Sequence, residues 1–200
     1  MIDSIDGLRR FYGEPKGRSV KKQIDHIDVH CARFIGLSPF VVLASVDAHG
    51  ALDASPRGGV PGFVRVADAH TLLIPDSPGN NRLDTLTNIV VTGGVGLLFM
   101  IPGVEETLRV NGRARLNDDP TILDTFASDV RTPKLVIEIT VTDAYLHCAK
   151  AFMRSKLWSS TSQIDRDMLP SMGEMLSEQT GSVSAPESQA AMQARYAPDL

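Results

Sequence analysis

From Phe40 onward the chain is a succession of short β-rich runs cut by turn residues, and that pattern allows a sheet of short antiparallel strands and little else. Phe40 to Val46 is the first run, Asp47-Ala48-His49-Gly50 reads as a turn, and Ala51 to Arg57 returns. On the returning strand Leu52 and Ala54 share one face, while Asp53, Ser55 and Arg57 share the other. One apolar and one polar face fit a sheet or barrel packed on one side only. Before this region the period is helical. Val20, Ile24, Ile27, Cys31, Phe34 and Ile35 predict a helix over Ser19–Phe34, stopped by Gly36.

Strands are also predicted over Gly62–Val66, Thr71–Pro75, Val95–Ile101 and Glu106–Leu116, the last two joined through Pro102-Gly103. A helix over Asn81–Val91 would turn Leu83, Leu86 and Ile89 inward, with Asn80 or Asn81 as its cap. On the Glu106–Leu116 strand Leu108, Val110, Ala114 and Leu116 face one way, and Thr107, Arg109, Asn111, Arg113 and Arg115 the other. Asp119-Pro120 opens a short helix that ends before Arg131, and Leu135, Ile137, Ile139 and Val141 form the core face of the last strand. A polar amphipathic helix is expected from about Ser160 to Ser177. The tail from Gly181 to Leu200 lacks a core pattern and reads as mobile, or as an arm that orders against a partner. The whole is a β-barrel-like α+β domain.

Ser55-Pro56-Arg57-Gly58 and Pro78-Gly79-Asn80-Asn81-Arg82 each place an arginine where a strand gives way to a loop or helix, 25 residues apart. Taken singly, each arginine reads as a solvated charge. Taken together, among Gly, Pro, Asn and Ser, they suggest an anion site, because guanidinium forks bind phosphate bidentately and helix starts offer free N–H groups. The ligand so implied is phosphorylated and nucleotide-like, lying across a sheet. The row Arg109, Arg113 and Arg115 fits a solvated strand face, partly neutralised by Glu105 and Glu106.

A formal charge of −4 provides no global attraction for nucleic acid. Two cysteines, Cys31 and Cys148, make no disulfide framework in 200 residues, which favours a reducing cytoplasm. The first residues, Met1-Ile2-Asp3-Ser4-Ile5-Asp6, predict no signal peptide, and no uncharged apolar run reaches the ~18 residues of a membrane span.

Other candidates read as structural. His26 and His30 stand at i, i+4 on the predicted helix, a zinc-compatible spacing, but the intervening Ile27-Asp28-Val29 supplies no HExxH glutamate. A solvated helix face is the simpler reading, and no metal is expected. His147 and Cys148, adjacent on a strand, point to opposite faces. Cys148 reads as a small core residue and His147 as an interface or cofactor neighbour. Ser55 is not in a Gly-x-Ser-x-Gly elbow, and neither a Walker loop nor a Gly-x-Gly-x-x-Gly fingerprint is present. Trp158, the single tryptophan, is either a packing anchor or an aromatic wall beside a cofactor ring with Arg154 as electrostatic partner.

Across most of residues 7–158 the motifs come in an order that resembles the pyridoxamine 5′-phosphate oxidase-like flavin-binding split-barrel proteins. They include Ser38-Pro39-Phe40, Asp53-Ala54-Ser55-Pro56-Arg57-Gly58, Pro61-Gly62-Phe63-Val64, Ile74-Pro75-Asp76 and Gly79-Asn80-Asn81-Arg82-Leu83-Asp84. Glu106–Ala114, His147–Ala151, Arg154-Ser155 and Leu157-Trp158 continue the series. The likeness is to an uncharacterised bacterial subgroup rather than to the vitamin B6 oxidase itself. It implies a six-stranded antiparallel split barrel over residues 37–158, after an N-terminal segment and helix over 1–36. Residues 159–200 would form a C-terminal helix and tail.

The resemblance further implies a homodimer with two FMN molecules at its interface and a small-molecule substrate. Arg57 and Arg82 would hold the FMN phosphate, with Ser55, Asn80 and Asn81 adding hydrogen bonds and Gly58 beside them. The Pro75-Asp76 backbone would lie along the flavin edge. Thr107 and Arg109, or Arg154, Ser155 and Trp158, would come from the other subunit. Gly59 and Ser77 stand where close relatives would carry an acid and a base. The reading is an FMN-dependent oxidoreductase of unassigned substrate and catalytic residues. Its alternatives are a non-catalytic flavin or haem binder and an F420-dependent reductase.

Overall fold

Strand pairing organises the first of two units, residues 1–154, in a computed structural model that describes residues 1–15, 17–77, 79–127 and 132–199. Pro78, Arg131 and Leu200, which bound or belong to motifs named above, lie outside the described residues. The elements of this unit are α1 (Ile5–Arg9), α2 (Arg18–Lys21), α3 (Val29–Leu37), β1 (Phe40–Val46), β2 (Leu52–Gly58), β3 (Arg65–Asp68) and β4 (Thr71–Pro75). They continue with α4 (Asp84–Val91), β5 (Gly94–Met100), β6 (Thr107–Asn117), α5 (Pro120–Asp124), β7 (Val136–His147) and α6 (Lys150–Ser155), whose last residue falls past the unit boundary. All strand pairs are antiparallel, in the order β2-β1-β5-β6-β7-β4-β3. The architecture is the expected α+β split barrel, with seven strands rather than six.

The inward face carries the core: Val41 and Leu43 of β1, Leu97 and Phe99 of β5, Leu108 and Val110 of β6, Ile137 and Ile139 of β7. Each fully buried Leu, Ile or Phe contributes roughly 1.5–3 kcal/mol of transfer free energy. β6 and β7 form the longest ladder, broken once between Asn111 and Gly112, where Thr142 is the extra residue of a bulge. Gly112 is required there, since a Cβ would stand 2.4 Å from the Thr140 carbonyl oxygen.

Helix starts departed most from expectation. Rather than one helix over Ser19–Phe34, α2 ends at Lys21 and Ile24 pairs as an isolated bridge with Ala144. Asp28 then caps α3, its carboxylate accepting from the Cys31 N–H at 2.7 Å. Backbone pairing to the sheet outweighs helical propensity over residues 22–28. α3 continues through Gly36 to Leu37, so the expected glycine stop is interior. α4 starts at Asp84, after Leu83 rather than Asn80 or Asn81, and Leu83 is exposed instead of inward. Leu86 and Ile89 are buried as the spacing predicts, joined by Thr85 and Asn88.

The second unit comprises residues 155–200. Two 3₁₀ turns, Ser160–Ser162 and Arg166–Met168, replace the helix expected over Ser160–Ser177, and α7 (Met172–Thr180) begins only after Pro170. Its start is a reciprocal capping box between Ser171 and Glu174, and Gly181 ends it with φ 64°. The tail, which lacks a core pattern in sequence, contains α8 (Gln189–Tyr196). Arg195 holds both oxygens of Glu187 at 3.0 and 2.8 Å. Among the described residues, no helix is long and apolar enough to cross a membrane.

Candidate functional site

β2 is an edge strand, and its register against β1 pairs Asp53 with Ser45, Ser55 with Leu43 and Arg57 with Val41. Residues opposite one another share a face. The polar side chains Asp53, Ser55 and Arg57 therefore lie on the core-facing side, beside buried Val41 and Leu43. The apolar alternates face outward: Leu52 is 84 % exposed, and Ala54 and Pro56 are exposed as well. This reverses the usual inside-out order of an amphipathic strand.

Arg57 is largely enclosed, its side chain 21 % exposed. One Nη lies 3.6 Å from Oδ1 of Asp76, just past the end of β4, which is outside ordinary hydrogen-bond distance. The Arg57 Nε is buried and has no hydrogen-bond acceptor among the described residues. A buried guanidinium N–H without an acceptor is costly in a finished site and is what an anion would satisfy. Burial pushes the Asp76 carboxyl above the ordinary aspartate range, and the positive charges of Arg57 and Lys134 offset only part of that rise. The Asp76 N–H donates to the Leu135 carbonyl at 3.0 Å, which anchors the Pro75-Asp76 backbone to the start of β7.

Around Arg82 the backbone is contorted. Asn81 has φ 60° and Leu83 φ 58°, both left-handed, and the Arg82 N–H donates to Asn80 Oδ1 at 3.1 Å. A left-handed non-glycine residue costs about 1–2 kcal/mol, least for asparagine. Leu83, which precedes α4, provides no side-chain cap, and the Arg82 guanidinium, 76 % exposed, pairs with Asp84.

Beside Ser55 lies a partly buried polar network that has no counterpart among the residues singled out in the sequence. The Ser55 hydroxyl donates to Asp53 Oδ1 at 2.8 Å, and Ser45 (3.3 Å) and Thr85 donate to Oδ2. Asn88 Nδ2 donates to Ser45 Oγ at 3.0 Å. Ser45, Thr85 and Asn88 are all buried, so the network joins β1, β2 and α4. Its signals in sequence are the alternation of Asp53 with Ser55 and the i, i+3 spacing of Thr85 and Asn88.

Thr107 and Arg109 lie on the opposite sheet face from Arg57: Arg109 pairs with Leu98, Leu98 with Val42, and Val42 with Pro56. Arg109 stands over the Tyr145 ring at 5.3 Å, and Thr107 is buried. The polar row on β6, which reads in sequence as a solvated strand face, is satisfied within the barrel. Asn111 reaches Asp143 at 2.9 Å, Arg113 the Thr92 carbonyl at 2.8 Å and Arg115 Glu138 at 2.7 Å. Arg154, on α6, donates through Nε to the Lys150 carbonyl at 3.1 Å. Ser155 is exposed and Trp158 half-buried in the second unit, where residues 156–158 form a turn rather than the start of a helix.

Gly58 ends β2, and a Cβ at Gly59 would lie 2.8 Å from the Phe63 Cβ, so this chain leaves no room for an acidic side chain there. His26 precedes α3 and His30 lies in its first turn, so they share no helix face. His26 instead bonds Asp25 at 2.9 Å. Among the described residues, no group of three or more His, Cys, Asp or Glu is placed to hold a metal. Cys148 is exposed rather than a core residue, as is His147, because β7 has by then run past the core. Burial beside Asp28 pushes the Cys31 thiol up to about 11, which makes it a poor nucleophile at neutral pH.

The sequence model of the pyridoxamine 5′-phosphate oxidase family matches residues 27–148. Among solved structures, HupZ of Group A Streptococcus is similar at 19 % identity with a TM-score of 0.51, over 60 % of this chain and 93 % of that one. A candidate pyridoxamine 5′-phosphate oxidase of Lactobacillus delbrueckii matches at 17 % identity with a TM-score of 0.49, over 61 % of this chain and 99 % of that one. Among curated proteins, none matches the sequence.

Proposed function

The chain belongs to the pyridoxamine 5′-phosphate oxidase family, and from that premise we propose that it is an FMN-binding protein and an FMN-dependent oxidoreductase acting on a small molecule. The observation that carries this reading is Arg57: an enclosed guanidinium on the polar inward face of β2, with a buried Nε that has no acceptor among the described residues. The donor set fits a phosphate. Arg57 and Arg82 would hold it, with the open Asn80-Asn81 backbone beside them and Gly58 at the strand end. The Pro75-Asp76 backbone would run along the flavin edge.

When bound, the flavin ring would supply the redox chemistry, and the chain supplies position, charge and exclusion of water. Thr107 and Arg109 occupy the far face of the same sheet, so any contact they make to the cofactor would come from a second copy. Arg154, Ser155 and Trp158 are proposed for the same trans role. The exposed apolar face of Leu52, Ala54 and Pro56 supports a two-fold homodimer, which would cover it and create two equivalent sites. Two free cysteines support residence in the cytoplasm.

The absorbance spectrum of the purified protein tests the cofactor: a flavin envelope is expected. A Soret band would replace the reading by haem, and a deazaflavin spectrum by F420. Anaerobic reduction tests turnover. Bound FMN should be bleached by a nicotinamide or small-molecule donor faster than free FMN, and a rate equal to that of free FMN across the donor panel counts against the oxidoreductase reading.

A further inference from the structure

All three hydroxyl protons of the network beside Arg57 are directed at one carboxylate. Ser55 donates to Asp53 Oδ1 at 2.8 Å, while Ser45 and Thr85 both donate to Oδ2. An ionised aspartate only accepts, and a serine has one proton to give. With that proton committed, the Ser55 oxygen has lone pairs left and nothing else. A phosphate oxygen also offers only lone pairs, so the two cannot bond without breaking the bond to Asp53. A phosphate oxygen bonded to Ser55 Oγ would also bring a second negative charge to the hydroxyl that already holds the Asp53 carboxylate at 2.8 Å, and like charges repel.

We propose that Asp53 is a positioning residue that fixes the Ser55 hydroxyl as an acceptor, so that Ser55 reads a neutral O–H or N–H donor of the bound flavin and not its phosphate. This rests on the flavin reading above and divides the labour along β2: Arg57 takes the anion, and Ser55 two residues earlier takes the uncharged part of the ligand. Asp53 can hold this role because its other oxygen is tied to Thr85 of α4 and to Ser45 of β1, and Ser45 is in turn held by Asn88. The carboxylate therefore cannot swing away from the strand without unmaking a partly buried cross-link of three elements.

Riboflavin has the same ring and ribityl chain as FMN without the phosphate, so the two ligands separate the roles. Dissociation constants for both are measured by fluorescence titration on the full chain, normalised to the folded fraction from thermal melts. Ser55→Ala should weaken FMN and riboflavin by the same factor, about 3- to 10-fold, as for one lost neutral hydrogen bond. Arg57→Ala should weaken FMN alone. In Asp53→Asn the amide oxygen stays with Ser45 and Thr85 and Nδ2 turns to Ser55, which frees the serine proton. The preference for FMN over riboflavin should then rise severalfold. A Ser55→Ala loss confined to FMN overturns the proposal, as does no loss for either ligand or an unchanged preference in Asp53→Asn. A wild-type chain that takes up neither ligand removes the flavin reading itself.

Discussion

β2 and β4 are both short strands at or next to an edge of the same sheet, yet they are buried in opposite ways. In β4 three consecutive residues, Leu72, Leu73 and Ile74, are buried. Leu72 and Ile74 face the main core, while Leu73 packs with Phe126 and Val136 in a second small cluster under α5. Arg65 stacks on the Phe126 ring at 4.0 Å and closes that side. Among the described residues, nothing covers the outward face of β2. Its apolar residues are exposed and its polar residues turn inward. One end of the sheet thus buries its apolar surface, and the other turns charged and hydroxyl groups inward and leaves its apolar residues exposed.

The largest expected effect is on the covered end. Phe126→Ala should cost about 3–5 kcal/mol of stability, the range for removing a buried aromatic, read from denaturant unfolding. FMN affinity per folded molecule should stay unchanged; a parallel loss of affinity would mean the two ends are not independent. Arg57→Ala should do the converse, costing about 1.5–3 kcal/mol of FMN affinity with the melting curve nearly unmoved. Lysine there should rescue only in part because it lacks the planar fork. Unchanged affinity in Arg57→Ala would return that arginine to a structural role.

Smaller effects are expected at Asp76, whose carboxylate lies 3.6 Å from the Arg57 guanidinium. Asp76→Asn should raise FMN affinity by about 2- to 5-fold, the scale of a weak, partly exposed ion pair. Its stability effect has a defined sign. Because the folded-state pKa is raised, the protonated group is favoured by folding. That stability is fully present below the ordinary value of 3.8 and is lost as pH rises through the raised one. The asparagine variant should therefore melt higher than wild type at neutral pH, with the advantage vanishing in acid. An advantage that grows in acid would reverse the assignment. Glu138, lowered by Arg115 and Asn117, behaves oppositely and loses its contribution as pH falls through its folded value.

The smallest effect on the isolated chain is expected at Leu52. Leu52→Asp on an 84 % exposed side chain should change monomer stability within about 0.5 kcal/mol. If a second copy covers that face, the same variant should sediment as a monomer and lose FMN affinity with it. A variant that stays dimeric would place the interface elsewhere.

Alternation alone made much of the barrel legible. β1 and β4 begin and end where their β-rich runs do, and β6 presents the face that its Leu108, Val110 and Ala114 spacing predicts. The two arginine motifs were equally plain, because Gly, Pro and Asn beside a strand end are local instructions to the backbone. Helix starts were harder. Ile24 has a helical position in sequence but a sheet partner 120 residues away, and Leu83 occupies a left-handed conformation that no local preference requests.

What the sequence determined by itself was most of the strands, their alternation and the residue types at each strand end, since these follow from local sterics and period; β3 is the exception, at Arg65–Asp68 rather than the expected Gly62–Val66. Which face of β2 turns inward was decided only by tertiary structure. Alternation separates two faces but does not say which one meets the core; that depends on the neighbours, Val41, Leu43 and Ser45, that β1 brings alongside. The spacing of Asp53, Ser55, Thr85 and Asn88 is local, but which of them meet was likewise decided by the fold, because the donors to Asp53 come from β1, β2 and α4 and a hydrogen bond between distant segments exists only once the chain has folded.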